Sequence, residues 1–120
     1  MKIFSEIVIA LVAIEHLYIL WLEMFAWETK GKKVFANAFS DEMFAKTKTM
    51  AANQGLYNGF LAAGLIWSFF IENSEWHIYV AAFFLACVAI AGIFGAFTAS
   101  KKIFFMQALP ALIALALLFF

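Results

Sequence analysis

The stretch EHLYILWLEMFAW, Glu15 to Trp27, sets two carboxylates and an imidazole among apolar side chains. Glu15, His16 and Glu23 are residue types that take up, hold and release protons. In hydrocarbon such groups are costly, and they mark ion pathways, proton relays or polar contacts between helices. At about 100° per residue, His16, Glu23 and Trp27 fall within about 40° of one another. They form one stripe, and Glu15 lies about 100° away on a neighbouring face. The helical rise places Glu23 about 6 Å and His16 about 16 Å from the level of Trp27.

Two further segments carry polar groups at a comparable depth. Asn53, Gln54, Tyr57 and Asn58 occupy the first three turns of the segment that begins near Met50. Gln107 lies about 7–8 Å beyond Lys102. Unpaired amides and carboxylates in hydrocarbon cost several kcal/mol each. Their gathering at one level therefore points to mutual hydrogen bonding around a small cavity. The candidate ligand-binding or proton-transfer set is Glu15, His16, Glu23, Trp27, Asn53, Gln54, Tyr57, Asn58 and Gln107.

Plainer readings stand beside each of these. Glu23 can snorkel to the surface or pair with Lys30, seven residues on along the same face. Asn53, Gln54 and Asn58 can be interhelical glue without a ligand. Tyr57 can be a core aromatic, and Glu15 can serve the bundle interior or a subunit interface. His77, beside Trp76, reads as an interface residue, and Cys87 as a small apolar packer. A metal or haem at Glu15, His16 and Glu23 is disfavoured, because a single helix supplies all three on two faces. No metal and no cofactor is expected. There is no nucleophile–base arrangement and no glycine-rich phosphate loop, since NQGLYNG lies within a helix.

The elements that must position these residues follow from composition. Of 120 residues, 67% are apolar and 13% charged, whereas a soluble domain carries about 25% charged residues. The net charge is zero and the chain has no Arg, which argues against nucleic acid or phosphate partners. One cysteine excludes an intrachain disulfide. The first apolar run is too long and too charged for a signal peptide and reads as a retained span.

A spanning helix needs about 20 mostly apolar residues. Four segments qualify, at roughly 3–27, 50–71, 77–97 and 103–120, and they predict one all-α domain, an integral-membrane antiparallel four-helix bundle. Ser40 followed by Asp41 and Glu42 predicts a helix start, with a capping oxygen and acids at the positive helix end. The second helix is accordingly expected to begin near Asp41 and then enter the bilayer. Small residues at Gly55, Gly59 and Ala63, and at Ala91, Gly95 and Ala99, predict close intramolecular packing faces. Pro110 removes a helix hydrogen bond and predicts a kink in the fourth helix. Lys30, Lys32, Lys33, Lys46, Lys48, Lys101 and Lys102 fall in the joints of one side, which predicts both termini outside the cytoplasmic membrane. Trp67, Trp76 and Tyr79 then mark the outer interface and Trp27 the inner one.

AIEHLYILWLEMFAW, KVF, AANQGLYNGFLAAGL and the final QALPA together resemble a bacterial family of small four-span membrane proteins, catalogued as domain of unknown function 1304. The resemblance covers nearly the whole chain, and AANQGLYNGFLAAGL is its most specific part. It implies a four-helix membrane fold and no particular activity. The motif residues correspond here to Glu15, His16, Glu23, Trp27, Asn53, Gln54, Tyr57, Asn58, Gln107 and Pro110.

Three functions compete at this point. The first is binding or transport of a small molecule, lipid or ion with proton coupling through Glu23 and His16. The second is acid–base catalysis, such as an isomerisation, on a lipid-soluble substrate. The third is a structural or regulatory membrane subunit. The first is favoured, because the chain is short for both a catalytic centre and a substrate cradle. Transporters this small usually assemble as oligomers, so a homo-oligomer is among the expected assemblies. The partners expected are the lipid bilayer and a small-molecule or lipid ligand.

Overall fold

The computed structural model describes residues 2–36 and 39–120. Among them every regular element is helical. They are α1 (Lys2–Met24), α2 (Lys30–Val34), α3 (Asp41–Lys46), α4 (Lys48–Phe69), α5 (Ser74–Thr98) and α6 (Lys101–Phe119). Three of them, α1, α5 and α6, are long and apolar enough to cross a membrane. The fourth expected span, α4, has the length at 22 residues. Lys48, Thr49, Asn53, Gln54 and Asn58 crowd its first half, and it stays below the hydropathy of the other three. The chain divides into two compact units, one formed by 1–14 and 61–120, the other by Glu15–Phe60.

The unit formed by 1–14 and 61–120 has a core that mixes alanine with larger aliphatic side chains. Its core comprises Ile9, Val12 and Ala13 of α1, Leu65 of α4, Ala81, Leu85, Val88 and Ala89 of α5, and Ala111 and Ala114 of α6. The close approach of α5 and α6 depends on Gly92. A Cβ there would lie 2.6 Å from the Ala108 backbone nitrogen, and one at Gly95 would lie 2.9 Å from Ile103 Cγ2. The expected face through Ala91, Gly95 and Ala99 is therefore shifted: Gly92 and Gly95 meet α6, whereas Ala91 and Ala99 are exposed.

Pro110 acts on α6 as a change of winding. Residues Phe104–Ala108 form a π turn, in which the Leu109 N–H donates to the Phe104 carbonyl five residues back. Proline has no N–H for the carbonyl four residues earlier, and its ring crowds that carbonyl. A widened turn just ahead of it accommodates both effects.

The Glu15–Phe60 unit is organised by one aromatic residue. The helix expected to reach Trp27 ends at Met24, where the Phe25 and Ala26 N–H groups both donate to the Trp21 carbonyl. The Ala26 carbonyl then accepts from Gly31 at 2.7 Å, and the chain turns into α2. Trp27 is only 8% exposed. Phe35, Phe39 and Phe44 surround its ring with centroids 5.6, 6.2 and 5.0 Å away. Trp27, expected to mark the inner interface, thus has its ring packed within this cluster.

The expected continuous helix from Asp41 is broken at Thr47. The Trp27 indole N–H donates to Thr47 Oγ1 at 3.1 Å, and the Thr47 hydroxyl donates to the Met43 carbonyl at 2.7 Å. A side chain held from both sides separates α3 from α4. Ser40 does precede α3 with extended backbone, but its hydroxyl makes no capping bond. Its carbonyl instead accepts from Met43 and Phe44.

Candidate functional site

Within the Glu15–Phe60 unit, α1 and α4 are brought together by glycine. A Cβ at Gly55 would lie 2.6 Å from Met24 Cγ, 3.0 Å from Glu23 Cβ and 3.2 Å from the Leu20 carbonyl. One at Gly59 would meet Leu20 Cδ1 at 2.5 Å. The two glycines form a groove that receives Leu20, Glu23 and Met24. Asn58, three residues after Gly55, shares this face. Its amide donates to Glu23 Oε1 at 2.7 Å. The side chain of Glu23 is thus engaged by Asn58, not by Lys30. The lysines that pair in this unit are Lys48, 3.5 Å from Glu28, and Lys46, 3.1 Å from Glu42.

His16 is fully buried, and its Nδ1 lies 4.0 Å from Glu15 Oε1. That Glu15 oxygen is itself shielded from solvent and accepts no hydrogen bond. The face assignment by helical angle separated the two residues. Adjacent side chains on a helix diverge by about 100° at Cβ, but glutamate is long enough to fold back towards its neighbour.

The remaining candidates divide. Trp27 is held in its aromatic cluster. Asn53, Gln54 and Tyr57 lie exposed on α4, with the Tyr57 ring set edge-on to Phe60 at 5.9 Å. Gln107 belongs to the π turn of α6 in the other unit and is half-buried. Among the described residues, no group of three or more His, Cys, Asp or Glu side chains could hold a metal ion.

A second polar centre escaped the sequence reading. In the unit formed by 1–14 and 61–120, His77 Nε2 lies 2.6 Å from Glu6 Oε1, and His77 Nδ1 lies 2.5 Å from the Ser68 carbonyl. The last carbonyls of a helix have no intrahelical donor, and Ser68 stands one residue before the end of α4. Asn73 caps α5 by accepting from the Trp76 N–H at 3.0 Å, which sets His77 in the first turn of that helix. Beside this pair opens a cleft of about 450 Å³. The available signal was a carboxylate in the apolar start of α1. Its partner stands 71 residues away, and no spacing rule connects them.

Comparison with known proteins adds identity and no activity. No solved structure matches the chain. The chain is 32% identical over 121 residues to the uncharacterized protein YpaA of Lactococcus lactis subsp. lactis (strain IL1403), and the match covers 100% of both chains. Residues 10–119 match the family described as "Protein of unknown function (DUF1304)". With nearly its whole length matched, and with the EHLYILWLE and NQGLYN segments inside that match, the chain belongs to this family.

Proposed function

We propose that the chain is a multi-pass protein of a bacterial cytoplasmic membrane that binds or transports a small molecule or ion with proton coupling at Glu23. In this reading α4 is the fourth span of an antiparallel bundle, both termini face outward, and the site opens toward the cytoplasm. The Glu23–Asn58 hydrogen bond carries the proposal. A carboxyl group is held in place by a neutral amide, and among the described residues no lysine forms an ion pair with it. Such a group can change protonation without losing its neighbour, because an amide can donate to a carboxylate and accept from a carboxylic acid. His16 and Glu15 supply a second acid–base pair on the same helix.

A structural reading is favoured by the same bond: Asn58 already satisfies one Glu23 oxygen, which suffices to lock α1 against α4. Glu23→Gln separates the two readings. It keeps an oxygen for Asn58 and removes the exchangeable proton. Purified protein in liposomes loaded with a pH-sensitive dye would be challenged with a panel of monovalent cations and small carboxylates. Coupling at Glu23 predicts proton movement with at least one compound in the parent protein and its loss in Glu23→Gln, at unchanged melting temperature in detergent. Proton movement that survives in Glu23→Gln, or none with any compound, sinks the coupling.

A further inference from the structure

The Glu6–His77 pair has a proton inventory that its partners determine. Ser68 offers a carbonyl, which can only accept, so His77 Nδ1 carries hydrogen. At 2.6 Å, Nε2 and Glu6 Oε1 must then share one proton. It rests either on the imidazole, giving imidazolium and carboxylate, or on the carboxyl, giving two neutral groups. The pair has zero net charge in both forms, and a proton can cross it without charge separation from its surroundings.

This pair lines a cleft whose remaining wall is largely apolar. Lys2 and Ser5 stand beside Glu6, Ser74 beside His77, and residues 117–120 form an apolar side ending in two phenylalanines. The volume, about 450 Å³, falls within the range of small-ligand sites. Glu6 uses Oε1 for His77, which leaves Oε2 for a second donor.

We propose that this cleft binds a small apolar molecule bearing one weakly acidic hydroxyl, of the phenol class, and exchanges a proton with it at Glu6. The hydroxyl donates to Glu6 Oε2, and the ring lies against Phe119 and Phe120. The O–H bond then breaks as a new one forms on Oε2, while the shared proton settles on His77 Nε2. A phenolate, a neutral carboxyl and an imidazolium result, with no change in total charge, and Lys2 and His77 provide the positive charge that the phenolate oxygen needs. An aliphatic alcohol is too weak an acid for this step. A carboxylic acid arrives already ionised and is repelled by the Glu6 carboxylate. The site stands independently of Glu23.

The test uses the full chain in phosphatidylcholine nanodiscs, with ¹⁵N-labelled histidine and 4-nitrophenol as probe. Titration is expected to shift the His77 ring-nitrogen signals saturably and to raise the absorbance of ionised probe. Glu6→Gln retains a hydrogen bond to His77 but offers no carboxylate, and is expected to weaken binding at least tenfold and abolish the ionised band. Leu117→Trp fills the cleft without touching the polar pair and is expected to remove binding while the resting His77 signals stay in place. 4-Nitroanisole, which lacks the hydroxyl, is expected to leave His77 unshifted. A non-saturating titration, equal binding by Glu6→Gln, or an equal shift with 4-nitroanisole overturns the proposal. Glu23→Gln is expected to bind 4-nitrophenol normally, so failure at one site is separable from failure at the other.

Discussion

Both units bring helices together at glycine, but they differ in what surrounds those contacts. The Glu15–Phe60 unit gathers large rings around Trp27 and uses short helices to close the cluster. The unit formed by 1–14 and 61–120 has an aliphatic core of isoleucine, valine, leucine and alanine, with α5 and α6 in close approach at Gly92. In water, burying rings supplies a hydrophobic driving force that grows with area. Between helices in lipid that force is absent, and close packing must replace it.

The contrast breaks first at Trp27. Trp27→Ala removes the centre of the aromatic cluster and the bond to Thr47, with an expected cost of about 3–5 kcal/mol, read as a drop in melting temperature in detergent. In the other unit the damaging change is an addition. Gly92→Val sets a side chain against the Ala108 backbone, which cannot swing aside, with an expected cost of about 1–3 kcal/mol or more and a polydisperse elution profile. If Gly92→Val elutes and melts as the parent does, the account of α5–α6 packing is wrong.

Smaller effects sharpen the picture. Asn58→Leu leaves Glu23 beside an apolar group and is expected to cost about 1–2 kcal/mol, and Glu23→Leu on that background should restore part of the loss. The Glu28–Lys48 pair is largely exposed. Glu28→Gln is therefore expected to change stability by less than about 1 kcal/mol, an effect that should fade in high salt.

The long helices were readable because runs of about 20 apolar residues have few alternatives. Asn58 and Glu23 were readable because depth and face can be counted from helical geometry. The packing around Trp27 was not legible, since an interfacial tryptophan and one packed by residues 8 to 17 positions downstream look alike in a sequence. Thr47 was unreadable for a related reason: its break depends on an indole 20 residues earlier. Glu6 and His77 were missed because their meeting depends on the helix end at Phe69 and the Asn73 cap. Neither of these determines which carboxylate arrives from elsewhere in the chain.

The π turn of α6 has a consequence for phase. Ile103 and Ala108 are five residues apart, which on a regular α-helix would point them about 140° away from each other. Bonding at a five-residue interval brings such positions nearly into line. That lets Ile103 meet Gly95 while Ala108 meets Gly92 on the same neighbouring helix. The extra residue of the turn works as a one-step clutch: ahead of it and behind it the helix keeps its ordinary period, and the slip between them is what lets both ends engage α5.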